Sequence, residues 1–152
     1  MLSDNVTLRE IEPDDYQSVL ALIVEGLTQR WGNYDPAMNP DLEKFPEQYI
    51  DSVILVAEER NELLAVGILR QIGHEEAEIV RMSVRRDVQR KSLGSRVLDG
   101  LLEAARMRKI RAVRLETTAT WESAVSFYEK KGFRRTHARD GNQYMEFLSL
   151  TS

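Results

Sequence analysis

The chain has 152 residues, 42% of them hydrophobic, which suffices for one domain with a substantial core, whereas two half-length domains would each be marginal. It has no cysteine and only two histidines, His74 and His137, which excludes a disulfide framework and a zinc cluster. The net charge of −4 is unevenly spread: residues 1–80 carry 17 acidic and 5 basic side chains, residues 81–114 carry 11 basic and 3 acidic. A basic segment inside an acidic chain suits a discrete polyanion better than a long nucleic acid. There is no run of about eighteen apolar residues and no basic-then-apolar leader at the start, so no membrane association and a cytoplasmic location are expected.

Residues 6–11 alternate apolar and polar and predict a first strand. Pro13, Asp14 and Asp15 mark a helix start, because proline is tolerated in the first turn and acids face the positive end of the helix dipole. Tyr16, Val19, Leu20, Ile23, Val24 and Leu27 then form its buried stripe. Residues 26–40 contain two glycines and two prolines and predict a loop, to which Trp31, Tyr34 and Met38 give a packing or binding role. A short helix is expected over residues 41–50. Residues 52–58 and 63–71 are β-like runs joined through Glu59, Arg60, Asn61 and Glu62, and residues 75–84 predict the next strand.

After Val84 comes a basic turn, and then Leu93, Val97, Leu98, Leu101, Leu102 and Ala105 recur at the one-face spacing of a helix. Strand, basic turn and helix in that order make an anion site. The first amides of such a helix lack intrahelical acceptors and sit at the positive end of a dipole of about half a charge, so they can receive phosphate oxygens. Small residues at Ser92, Gly94 and Ser95 let a ligand approach the backbone. Residues 110–117 predict a strand, and the crossover favours a parallel pair. Thr120 is the expected cap of a last helix containing Ala124, Val125, Phe127 and Tyr128 and ended by Gly132. Residues 134–139 and 143–150 close as a hairpin through Asp140, Gly141 and Asn142, with His137 a strand residue. The order β-α-α-β-β-β-α-β-α-β-β predicts a single α/β domain over residues 1–152, built on one mixed sheet flanked by helices.

Gln89, Ser92 and Gly94 resemble the Q/R-x-x-G-x-G/A signature of the GNAT superfamily of N-acetyltransferases. Ala124, Phe127, Tyr128, Gly132 and Phe133 resemble its A-x-x-F/L-Y-x-x-x-G-F helix, and the predicted order of elements is similar to the GNAT fold. Two residues depart from the pattern: Ser92 replaces the first glycine, and Trp121 stands where the family often has asparagine. The resemblance implies acetyl-CoA as acetyl-donor cosubstrate, with no metal. The implied contacts are Gln89, Arg90, Lys91, Ser92, Leu93, Gly94, Ser95 and Arg96 for the pyrophosphate, Met82, Ser83 and Val84 for the pantetheine arm, and Trp121, Ser123 and Tyr128 opposite them. It further implies Tyr128 as the acid that protonates the departing sulfur, Glu78 as the base, and the Met82 amide as an oxyanion donor.

The acceptor side of such a cleft is expected at Glu25, Trp31, Tyr34 and residues 139–144, and the acidic first half of the chain favours a cationic amine, whether a small molecule or a protein amine. The resulting expectation is an N-acetyltransferase that moves acetyl from acetyl-CoA to a primary amine by direct transfer in a ternary complex. The alternative is a regulatory module that binds an acyl-CoA without turning it over, as the Ser92 and Trp121 departures would allow. No nucleic-acid or membrane partner is expected, and a homodimer is compatible with the fold.

Overall fold

The computed structural model describes residues 5–148, apart from the side chains of Gln89, Arg90 and Lys91. Seven strands, β1 (Thr7–Glu10), β2 (Val53–Glu59), β3 (Glu62–Gln71), β4 (Glu76–Val84), β5 (Ala112–Thr118), β6 (Arg134–Arg139) and β7 (Asn142–Leu148), form one sheet in the order β1-β2-β3-β4-β5-β7-β6. All neighbours are antiparallel except β4 and β5, which the crossover through α3 (Leu93–Met107) makes parallel. The other helices are α1 (Tyr16–Trp31), α2 (Pro40–Glu43) and α4 (Glu122–Lys130). Among the described residues no helix is long and apolar enough to cross a membrane.

Because β2 and β3 alternate their side chains between two covered faces, both read as continuous apolar runs. On one face Leu93, Val97, Leu98, Leu101 and Ala105 of α3 pack with Leu55, Ala65, Leu69, Ala77 and Ile79, joined by Val125 and Phe133 from the region of α4. On the other, Val19, Leu22 and Ile23 of α1 and Leu42 and Tyr49 beyond it pack with Ile54, Val56, Val66 and Ile68.

Two features open the sheet where a site can form. The parallel pairing of β4 with β5 covers only Glu76↔Ala112, Ala77↔Val113 and Glu78↔Arg114, after which the strands separate. On its other edge β4 carries an extra residue between Val80 and Ser83, a bulge in which Arg81 adopts φ 55°. Gly67 lies opposite this bulge on β3. A Cβ there would come 2.5 Å from Met82 Sδ and 2.8 Å from Val97 Cγ1, so the Met82 side chain occupies space that any larger residue would take.

The structure departs from the sequence expectations in four places. Residues 26–31, expected as loop, continue α1, which ends at Gly32 in the left-handed region (φ 84°). Gly26 belongs in the helix because a Cβ there would lie 2.9 Å from Ser83 Oγ, so the residue lets α1 approach β4. The expected helix over residues 41–50 is divided into α2 and a 3-10 turn, Glu47–Tyr49, with Pro46, which has no N–H to continue a helix, between them. Trp121, not Thr120, occupies the N-cap position of α4, and its side chain makes no cap hydrogen bond. Of the stripe expected on α1 only Val19 and Ile23 are buried, together with the unexpected Leu22. Residues 149 and 150 of the expected last strand lie outside the described residues.

Candidate active site

The separation of β4 and β5 creates a cleft of about 1220 Å³. Residues 79–84 of β4 line one wall, Leu115, Glu116 and Thr117 of β5 with Ser123, Ala124, Phe127 and Tyr128 of α4 the other, and α1 contributes Ile23, Gly26, Leu27, Gln29 and Arg30.

At one end the cleft meets the start of α3, where Ser92, Gly94 and Ser95 line it. Ser92 has φ 56° and ψ 30°, a left-handed conformation that glycine adopts freely and serine only with strain. The turn thus starts α3 at the cleft, and the first amides of a helix, which lack intrahelical acceptors, are an arrangement that receives a phosphate. Gly94 leaves room beside β4, since a Cβ would already lie 3.5 Å from Val84 Cγ2. These features fit the pyrophosphate of a CoA. The Leu93 side chain is fully buried in the core, which leaves only its backbone amide for a phosphate, and Arg96 donates to the Val6 carbonyl (3.3 Å) and does not line the cleft. The side chains of Gln89, Arg90 and Lys91 lie outside the described residues. Met82, Ser83, Val84, Ser123 and Tyr128 are brought together, one set on each wall.

Tyr128 packs edge-on against Phe127 and Phe133, with ring centroids 5.1 and 5.7 Å away. Its hydroxyl has no hydrogen-bond partner among the described residues. Burial pushes its pKa up, and the positive charge of Arg30 pulls the other way. Trp121, expected beside the pantetheine arm, does not line the cleft; its ring meets Trp31 at 5.2 Å, and the guanidinium of Arg30, which does line it, lies 4.4 Å from its centroid.

The acidic first half of the chain does not produce an acidic cleft. Glu78 lines it but accepts a hydrogen bond from Nη2 of Arg70 on β3. Asp41 receives both Nη2 and Nε of Arg81 at 2.6 and 3.0 Å, and the Tyr49 hydroxyl donates to the same carboxylate. Burial opposes ionisation of Asp41, yet the hydrogen bonds from Arg81 and Tyr49 outweigh it and hold the carboxyl below its ordinary value. Tyr49 is pushed up to about 12, first by burial and then by its bond to Asp41. Among the described residues no three His, Cys, Asp or Glu side chains are grouped to hold a metal.

Sequence reasoning missed Arg30, Asp41, Tyr49, Arg70, Arg81 and Glu116, all but Tyr49 charged and all lining the cleft. The partners Asp41 and Arg81 are forty residues apart, and no spacing rule joins them. The other acceptor-side expectations lead elsewhere. Glu25 accepts from Gln29 at 3.1 Å, the Tyr34 hydroxyl donates to Glu43 at 2.6 Å, and on the β6–β7 hairpin His137 stacks on Tyr144 at 4.4 Å. Glu25, Tyr34, Trp31 and the hairpin do not line the cleft, and Trp31 packs on Trp121, which in turn touches Arg30 of the lining.

The sheet splits between two parallel strands, with a left-handed turn into a helix at the split, and comparison with known proteins assigns this architecture to a family. The model of the acetyltransferase (GNAT) family matches residues 8–133, and the chain belongs to that family. Its structure is similar to a GNAT-family acetyltransferase of Staphylococcus aureus Mu50, with TM-score 0.83 and 17% identity over 94% of this chain and 98% of that one. It is also similar to the PaiA N-acetyltransferase of Thermoplasma acidophilum, determined in complex with coenzyme A, with TM-score 0.81 and 19% identity over 95% and 99%. Ard1 of Thermoplasma volcanium gives TM-score 0.76 and 24% identity over 97% and 100%. At these identities the likeness is one of fold. No curated protein matches the chain significantly.

Proposed function

We propose that the protein is an N-acetyltransferase that carries acetyl from acetyl-CoA directly to a primary amine while both substrates are bound. The observation that carries this reading is the convergence, in one cleft, of the α3 start at Ser92 and Gly94 with the Tyr128 hydroxyl. An alkyl ammonium with pKa near 10.4 is neutral only about once in a few thousand molecules at pH 7, so a base must remove its first proton. Glu78, oriented by Arg70, takes that role. The amine nitrogen then bonds to the thioester carbonyl carbon while the Met82 amide, held at the bulge, donates to the developing oxyanion. As the C–S bond breaks, sulfur keeps the bonding pair and Tyr128 supplies its proton. The second proton leaving nitrogen restores the tyrosine. The products are an N-acetylamine, free CoA thiol and one proton.

The test is thiol release from acetyl-CoA across a panel of amines, read beside direct binding of acetyl-CoA. Transfer predicts release above the hydrolysis background, whereas saturation without release would establish the binding-module alternative. A thiol near pKa 8.5 is already a fair leaving group, so Tyr128→Phe should lower kcat by about ten- to a thousandfold with little change in acetyl-CoA affinity. Gly94→Glu should abolish acetyl-CoA binding by setting bulk and negative charge against the phosphates.

A further inference from the structure

Among the described residues three charges that line the cleft have no ion partner: Arg30 on α1, Glu116 on β5 and Lys130 at the far end of α4, while Lys131 is held by Asp99. Three arginines line the cleft, and two are committed: Arg70 to Glu78 and Arg81 to Asp41. Among the described residues Arg30 has no ion pair or hydrogen bond, and its one close partner is the face of Trp121 at 4.4 Å. Guanidinium stacked on an indole is positioned while its N–H groups remain available. Of the three acids in the lining, Glu116 alone is uncommitted among the described residues. It sits on β5 across the opening from α1, and no ion pair joins it to Arg30. The field of Arg30 acts on the Tyr128 hydroxyl, so the guanidinium lies within electrostatic reach of the reacting centre.

A separated cation and anion facing one cavity are the complement of a zwitterion. We infer that the acceptor is an amino acid or a close amino-carboxylate, whose carboxylate meets Arg30 and whose amino group is drawn in by Glu116, an inference that rests on the acetyltransferase reading above. A polyamine or a lysine side chain fits less well, because its remaining positive charge would meet Arg30, Arg70 and Arg81 while Asp41 and Glu78 are already neutralised. Ile23 and Leu27, which line the same side, offer an apolar wall to the acceptor's side chain. The reaction is unchanged: the amino nitrogen gains the acetyl carbon, sulfur departs with the bonding pair and Tyr128's proton, and the products are an N-acetylamino acid and CoA.

The decisive experiment assays the full chain on the common L-amino acids, each beside its carboxamide, with spermidine and a lysine peptide as cationic controls. At least one amino acid should exceed its own amide by about tenfold or more in kcat/KM, as expected for a charge-assisted pair lost with the carboxylate. Arg30→Met should collapse that ratio toward one, and Arg30→Lys should restore part of it because the charge returns without the planar fork. Trp31 and Trp121 are the chain's two tryptophans, so intrinsic fluorescence of the CoA-saturated protein should change on titration with the preferred amino acid and far less with its amide. If spermidine or the lysine peptide is acetylated while every amino acid equals its amide, the inference is overturned and the transferase reading stands. A ratio that survives Arg30→Met also overturns it. Absence of thiol release with every amine would remove the transferase reading and this inference together.

Discussion

The face of the sheet under α3 and the face under α1 are held by different forces. Beneath α3 the contacts are apolar, and Leu93, Val97, Leu98 and Leu101 are fully buried. Beneath α1 a smaller apolar core is supplemented by ionic ties, with Arg81 of the β4 bulge gripping Asp41 of α2 and Arg9 of β1 bridging Asp15 and Glu58. The apolar face carries the turn expected to receive the CoA phosphates, a ligand common to all acceptors. The ionic face borders the end of the cleft proposed above to take the acceptor. Apolar packing is insensitive to pH and tolerates little change of volume, whereas a charged latch can be rebuilt by exchanging a few residues.

The comparison can be broken by experiment, beginning with the largest effect. Leu101→Ala removes a fully buried side chain beneath α3 and should destabilise the fold by about 3 kcal/mol in denaturant titration, equally at pH 5 and pH 8. A loss below about 1 kcal/mol would mean that this face is not the rigid one. Asp41→Ala strands the Arg81 guanidinium and should cost about 2 kcal/mol. If the Arg81–Asp41 pair holds the bulge next to Met82, the proposed oxyanion donor, the change should also lower kcat more than it raises the KM for acetyl-CoA. The difference between wild type and Asp41→Ala should then depend on pH. Asp41 is held below its ordinary value, so its contribution is complete above about pH 4 and is lost as pH falls through the folded-state value. A gap that stays constant on acidification would assign the latch to packing. The smallest effect is expected for Ser92→Gly, which relieves a left-handed serine and should stabilise the protein by about 0.5–1 kcal/mol while leaving acetyl-CoA affinity nearly unchanged. Destabilisation would show that the Ser92 side chain contributes something the backbone strain conceals.

The sequence by itself determined the elements whose signal is local. The stripe from Leu93 to Ala105 defines α3 because helical periodicity lies within the chain, and Asp140 (φ 54°) and Gly141 (φ 81°) define the last hairpin because few residues tolerate that turn. The start of α3 and the Phe127-Tyr128 pair were legible for the same reason, since each is a short contiguous pattern. Tertiary structure alone decided that Gly26 is helical, because its reason is the approach of Ser83 from a strand almost sixty residues away. It also decided which acids are neutralised. Residues 1–80 carry a large acidic excess, yet Arg70 and Arg81 cancel it at the cleft and leave Arg30, Lys130 and Glu116 uncommitted among the described residues. Local periodicity is written along the chain, whereas charge compensation depends on which side chains come within about 4 Å of one another, and only the folded chain sets that distance.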